Sequence, residues 1–224
     1  MPLLRRAQIL AGLGFVAFGL LMTPVWARQL GSRPTADWIA MMERPERIAG
    51  LKVDQIVARL DLKPGQTVAD IGAGPGIFSF ALAKAVGPTG KVYAEEVDPA
   101  FLDHITAALK DRHVENVRPV LGIFTDPKLP ARDVDLAFFH DVLHHVDDRI
   151  GFLKALAPYL KPTGRVAIIE YDAENGPHKA QPALQITRVQ LDAWMAEIGF
   201  KPIQSIGDLF TDKDPRWGAI YGRQ

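Results

Sequence analysis

Short apolar runs alternate with amphipathic stretches along most of the chain. The apolar runs predict strands over the following residues: 67–71, 91–97, 117–121, 134–139 and 165–171. Apolar residues at helical spacing predict helices in the intervening stretches: 46–60, 77–86, 99–110 and within 148–160. Strands that alternate with helices predict βαβ units, a parallel sheet and right-handed crossovers.

The last forty residues have a different pattern. Thr187 and Gln190 have the spacing of a capping box, which predicts a helix that runs to Ile198 and ends at Gly199. Two strand-like runs follow at 203–210 and 217–221, and their short connection predicts an antiparallel pair. The chain is therefore predicted to form a doubly wound, Rossmann-like α/β fold. Its sheet has seven mostly parallel strands, an antiparallel C-terminal strand and helices on both faces.

The N-terminal segment differs from the rest of the chain. Arg5 and Arg6 precede an almost uncharged stretch, 9–27, which predicts a signal peptide cleaved after Ala27 or a retained membrane anchor. A buried N-terminal helix is disfavoured because the stretch has no polar face. Export to the periplasm or membrane attachment through residues 9–27 is therefore expected, with a domain facing the cytosol as the alternative.

Beyond residues 1–27, two further units are predicted. Residues 28–50 mix apolar and charged positions and are interpreted as a lid or linker, and residues 51–224 as the main domain.

Composition narrows the chemistry. The chain has no cysteine, which excludes disulfides, thiolate nucleophiles, cysteine-ligated zinc and iron–sulfur clusters. Lys and Arg total 26, and so do Asp and Glu, so the net charge gives no reason to expect a nucleic-acid partner. Small molecules are the expected partners.

A glycine-rich turn carries the main functional signal. Gly72, Gly74 and Gly76 follow the first predicted strand and open a helix, an arrangement that lets a ligand approach bare backbone. Ile77 stands where the dinucleotide fingerprint requires its third glycine. Asp70, two residues before the turn, suits a cofactor with an amino group or positive charge better than a phosphate.

A second acidic position lies at the end of the next predicted strand. Glu96 follows Gly76 by 20 residues, the separation at which a carboxylate reaches the ribose hydroxyls of a bound nucleotide. Glu95 is predicted to face the other side of the sheet, and Asp98 with Pro99 to begin the following helix.

Residues 51 to about 221 resemble class I S-adenosylmethionine-dependent methyltransferases, in particular the small-molecule branch similar to ubiquinone/menaquinone-type enzymes. Four segments carry the resemblance: 68–76, 92–96, 135–146 and 160–171. The resemblance implies S-adenosylmethionine as cofactor, with Asp70 and the backbone of Gly72 and Gly74 at its methionine end and Glu96 at its ribose. Where the family often has an acid near the adenine, this chain has Ile123, so apolar packing and backbone contacts are expected to hold the adenine.

Two residues are candidates for catalysis. His140 ends the fourth predicted strand, at the edge where such sheets bind ligands, and is placed to face the methionine moiety. Glu170 ends the fifth strand on the expected acceptor side, as a base or a structural partner. His140 and His144 have metal-ligand spacing on a helix, but no third ligand is evident, so no metal site is predicted. Packed, hydrogen-bonded roles are favoured for His144 and His145.

The function predicted from the sequence is methyl transfer from S-adenosylmethionine to a small molecule by in-line displacement. Two alternatives remain open: a non-catalytic binding module of the same fold, and an oxidoreductase of the NAD type. The sequence does not identify the methyl acceptor.

Overall fold

Seven strands form a single sheet in the order β3-β2-β1-β4-β5-β7-β6. The computed structural model describes residues 33–224, so the predicted leader, 1–27, lies outside the described residues. The strands are β1 Thr67–Ile71, β2 Lys91–Glu96, β3 Val117–Leu121, β4 Val134–His140, β5 Leu160–Tyr171, β6 Phe200–Ser205 and β7 Arg216–Arg223. β1 to β5 pair in parallel, and β7 lies antiparallel between β5 and β6, which confirms the predicted fold.

Helices cover both faces of the sheet. They are α1 Thr35–Met42, α2 Pro45–Gly50, α3 Val53–Arg59, α4 Ile77–Val86, α5 Pro99–Asp111, α6 Arg149–Leu156 and α7 Arg188–Glu197. The predicted bounds of α4 match the structure, and the capping box of Thr187 and Gln190 begins α7 as predicted. Asp98 caps α5 through a hydrogen bond that the backbone N–H of Ala100 donates to its carboxylate.

Successive strand residues supply two separate cores. In β1, Val68 packs with α3, α4 and α5, whereas Ala69 belongs to the core beneath α6 and α7. Strands buried on both faces are the mark of a parallel sheet between helical layers. This alternation decides which face each side chain at the carboxyl ends of the strands points to.

Two predicted elements need correction. The helix expected over 46–60 is divided into α2 and α3, because Lys52 adopts a left-handed conformation with φ 54°. The strand expected over 203–210 begins earlier and ends at Ser205, and a 3₁₀ turn follows at Gly207–Leu209. Phe200 is fully buried and anchors the start of β6, whereas Pro202 falls at an irregular register on this edge strand, as proline does in sheets.

Within residues 33–224, no helix is both long enough and apolar enough to cross a bilayer.

Candidate functional site

The glycine-rich turn joins the end of β1 to the start of α4. Gly72, Gly74 and Gly76 have φ of +66°, +54° and +85°, a region that other residues rarely occupy. At Gly72 a Cβ atom would lie 2.1 Å from the Cγ2 atom of Val142, so packing also requires glycine there. The turn thus presents bare backbone at the carboxyl edge of the sheet.

Two adjacent glutamates of β2 hold this turn. Glu96 Oε2 accepts the Gly74 N–H at 3.2 Å, and Glu95 Oε2 accepts the Gly72 N–H at 3.2 Å. Both carboxylates are buried, and burial raises the pKa of each above its ordinary value. Because neighbouring strand residues face opposite sides, Glu95 approaches the turn from the α6 and α7 side and Glu96 from the α4 and α5 side.

Asp70 lies beneath the turn and is held by the first residues of α4. The hydroxyl of Ser79 donates to Asp70 Oδ2 at 2.5 Å, and the Asp70 residue is 3% exposed. Burial raises the pKa of Asp70 to about 7, and the charge of Glu96 acts in the same direction. The carboxyl group is therefore poised to become charged when a cation approaches.

A cavity of about 110 Å³ opens above these groups. Five predicted site residues line it: Asp70, Gly72, Gly74, Glu96 and His140. Gly76 and Ile123 do not line it; Ile123 is 46% exposed, and its N–H donates to the Asp126 carbonyl. Met42 and Arg47, from the segment of α1 and α2, cover the cavity. Ordinary small-molecule sites have volumes above roughly 300 Å³, so a nucleoside-sized ligand requires this cover to move.

His140 forms one wall of the cavity with both ring nitrogens engaged. Its Nε2 lies 3.0 Å from Nη1 of Arg216, and its Nδ1 lies 3.4 Å from Oδ2 of Asp141. Because arginine only donates, Nε2 accepts, and the ring proton belongs on Nδ1. Burial lowers the pKa of His140 well below its ordinary value, and the ring packs on Phe78 with centroids 4.5 Å apart.

Asp141 and Arg216 form a buried pair beside His140. Arg216 Nη1 lies 3.4 Å from Asp141 Oδ2, and Arg216 Nε lies 2.6 Å from Asp214 Oδ1. Asp141 has φ 54°, its side chain is 8% exposed, and its Oδ1 has no hydrogen-bond partner. Burial raises the pKa of Asp141 to about 7, while Arg216 opposes that shift.

Glu170 is engaged with His144 on the other face of the sheet. Its Oε2 lies 2.6 Å from the His144 Nδ1, and its Oε1 accepts the His144 N–H at 3.2 Å. His144 stacks on His145 and His178, with centroids 4.1 and 4.8 Å apart, and His145 reaches the cavity. Burial lowers the pKa of His145 to about 3, so its ring is neutral at physiological pH.

The expected shared helical face of His140 and His144 is wrong. His140 ends β4, whereas His144 lies in a 3₁₀ turn at Leu143–His145. Across the part of the chain that the structure describes, no three His, Asp or Glu side chains are grouped so that they could hold a metal ion.

Comparison with known protein families finds a match to the part of the chain that forms this site. The model of a family described as "Methyltransferase domain" matches residues 68–164, which contain the turn, both glutamates of β2 and the end of β4. Residues 68–164 therefore match a methyltransferase domain.

Curated relatives and a solved structure resemble this methyltransferase domain. A demethylmenaquinone methyltransferase of Geobacillus is 27% identical over 117 residues, covering 52% of this chain and 50% of the relative. The ubiquinone/menaquinone biosynthesis C-methyltransferase UbiE of Burkholderia mallei is 34% identical over 120 residues, covering 51% and 47%. The chain thus spans about half the length of the curated relatives it matches.

The fold is also found in a crystal structure of a SAM-dependent methyltransferase from Aquifex aeolicus. It superimposes with a TM-score of 0.75 at 22% identity, covering 86% of this chain and all of that one. At this identity the likeness concerns the fold.

The residues that line this cavity fit S-adenosylmethionine as a cofactor. Gly72 and Gly74 expose backbone, Glu96 offers a carboxylate to a diol, and Asp70 and Asp141 are acids beside the same cavity. An orphaned, buried acceptor such as Asp141 Oδ1 is costly unless a ligand donates to it.

Sequence reasoning missed Asp141, Arg216 and the contact of Glu95 with the turn. Arg216 lies opposite Tyr171 in the antiparallel pairing of β5 and β7. The register of the C-terminal strand could therefore have indicated that Arg216 reaches the site. Asp141 was visible as a second acid directly after a strand end.

Proposed function

We propose that the protein is an S-adenosylmethionine-dependent methyltransferase that acts on a small-molecule acceptor by in-line methyl transfer. One observation carries this proposal: the bare turn at Gly72 and Gly74 and the carboxylate of Glu96 share one cavity with Asp70. A carboxylate bonded to the turn and facing that cavity suits a ribose diol.

Each residue has a distinct role in this proposal. Glu96 accepts the ribose hydroxyls, the backbone of Gly72 and Gly74 and the carboxyl of Asp70 hold the methionine end, and His140 forms the wall beside it. The cofactor supplies an activated methyl group on a positively charged sulfur. The protein's part is to align the acceptor and exclude water.

We assign Glu170 a positioning role through His144. Both oxygens of Glu170 bond to His144, and the resulting histidine stack ends at His145 on the cavity wall. Through this stack Glu170 holds a neutral imidazole at the cavity wall. Since both nitrogens of His140 are engaged, His140 serves as a wall of the site.

We infer that residues 28–50 act as a lid on a methyltransferase domain of residues 51–224. The Thr35 hydroxyl donates to Asp98 at 2.5 Å, and Glu43 lies 2.8 Å from the His104 ring. Met42 Sδ lies 3.4 Å from the position of a Cβ on Gly74. These contacts fasten α1 to α5 above the cavity and are few enough to open.

We further propose export or membrane attachment through residues 9–27. The apolar run after Arg5 and Arg6 supports this placement. A topology reporter fused after Gln224 tests it, because a domain facing the cytosol would contradict export while allowing a membrane anchor.

The proposed activity is tested with the full chain. We expect calorimetry to detect binding of S-adenosylhomocysteine and not of NADH. The Glu96→Ala variant should no longer bind S-adenosylhomocysteine. Incubation with methyl-labelled cofactor and a metabolite extract, followed by mass spectrometry, should then reveal a labelled small molecule. Binding of NADH instead would favour the oxidoreductase, and cofactor binding without any labelled product would favour a non-catalytic module.

A further inference from the structure

An acceptor oxygen without a donor lies at the cavity beside the glycine-rich turn. Asp141 Oδ1 is buried and has no hydrogen-bond partner, and the whole side chain is only 8% exposed. A buried carboxylate oxygen in that state is unfavourable, because nothing compensates the loss of its contact with water. The position therefore resembles a site prepared for a hydrogen-bond donor.

The neighbouring residues hold the Asp141 carboxylate in place at the cavity. Asp141 Oδ2 is shared between Arg216 and the His140 ring, each at 3.4 Å, which restrains the carboxylate. Asp141 lines the same cavity as Gly72 and Asp70, and the next residue, Val142, packs directly on the Gly72 backbone. Asp141 thus faces the first glycine of the turn, which in the proposed function is the methionine end of the site.

The backbone at Asp141 is also unusual. Its φ of 54° is left-handed, a conformation that is unfavourable for residues other than glycine, although less so for Asp and Asn. Such strain is found where the surroundings hold a side chain in place for binding.

We propose that Asp141 binds the α-ammonium group of the cofactor's methionine moiety, its Oδ1 accepting a hydrogen bond from that group. An ammonium has N–H donors and a positive charge, and both satisfy a buried, partnerless carboxylate oxygen. A sulfonium has the charge and no N–H, so it leaves Oδ1 without a donor. The inference rests on the proposed function and adds Asp141 to its binding residues, with Arg216 and His140 as positioning residues.

Calorimetry on the full chain with two ligands tests this role. S-adenosylhomocysteine carries the α-ammonium, whereas 5′-methylthioadenosine has the same nucleoside and no amino-acid group. We expect Asp141→Asn to weaken the binding of S-adenosylhomocysteine at least 10-fold. The affinity for 5′-methylthioadenosine should change less than twofold. Asn tolerates the left-handed backbone, so the loop geometry is retained.

Two further variants make the result decisive. Asp141→Gly removes the carboxylate and accepts φ 54°, so it should give the same selective loss. Asp212→Asn removes an acid of an exposed loop and should change neither ligand. Unchanged S-adenosylhomocysteine binding, or an equal loss for both ligands, would overturn the role of Asp141. Failure of the wild-type chain to bind either ligand would instead overturn the proposed function.

Discussion

Glu95 and Glu96 are neighbours in β2, and their carboxylates accept the N–H groups of Gly72 and Gly74, each at 3.2 Å. One strand end therefore holds both glycines of the turn from the two faces of the sheet. Only Glu96 also lines the cavity, so the two acids have different functions despite their shared contact with the turn.

The first prediction separates these two acids. Glu96→Gln should weaken the binding of S-adenosylhomocysteine roughly 10- to 100-fold, the loss expected when a charged hydrogen-bond acceptor becomes neutral. Glu95→Gln should change the affinity for S-adenosylhomocysteine less than about threefold. Burial and the charge of Glu96 raise the pKa of Glu95 well above its ordinary value, and Glu95 does not line the cavity, so we expect an amide to replace it closely. Calorimetry on both variants measures the difference, and equal losses would contradict these separate roles.

The second prediction concerns the close contact of Gly72 and Val142. Gly72→Ala should destabilise the protein by about 2–4 kcal/mol, because the new Cβ meets Val142 at 2.1 Å and φ is +66°. Val142→Ala should restore part of that loss in the double variant, because it removes the clash but not the backbone strain. Gly50→Ala is the matched control, since a Cβ there has nothing within 4 Å. Urea unfolding compares wild type with the two single variants, the double variant and the control, and additive losses in the double variant would show that the two positions are not coupled.

The third prediction is a pH dependence of stability from Asp70. Burial raises its pKa from 3.8 to about 7, so the folded state holds the proton more tightly than the unfolded state. Stability should therefore fall as pH rises from about 4 to about 7 and level off above, with Asp70 contributing up to about 4 kcal/mol.

Unfolding of Asp70→Asn between pH 5 and pH 8 tests that contribution. The variant should lose part of the slope and retain the share that comes from the other buried acids, whereas the exposed Asp212→Asn should keep the wild-type slope. An unaltered slope in Asp70→Asn would mean that Asp70 is ionised in the folded protein.

The fourth prediction concerns Glu170 and His144. Glu170→Ala leaves the N–H and the Nδ1 atom of His144 without partners and should cost about 2–4 kcal/mol in urea unfolding. Glu170→Gln keeps an acceptor and should cost less, but it should change the ¹⁵N signals of the His144 ring because the ring loses its carboxylate partner. Glu197→Gln breaks an exposed pair with Lys154 and should stay within about 1 kcal/mol of wild type. Unchanged ring signals in Glu170→Gln would contradict the positioning role.

The local parts of the fold could be predicted from the sequence. Strand β1, the turn at Gly72 to Gly76 and helix α4 are consecutive, and their apolar spacing and glycines decide their conformation within a few residues. The same holds for the capping box at Thr187, which is set by residues three positions apart. The interruption between α2 and α3 was not predictable, because the left-handed Lys52 breaks no apolar pattern.

The sequence by itself determined the α/β class, the glycine-rich turn and the acid at the end of β2, since each depends on neighbours along the chain. The tertiary structure alone decided that Arg216 meets Asp141 across 75 positions, and that Glu170 meets His144 across 26. Those contacts follow from strand order, from the antiparallel register of β7 on β5 and from the face to which each strand end points. Hydrophobic spacing limits such long-range pairings but does not specify them, because the register depends on the packing of the whole sheet.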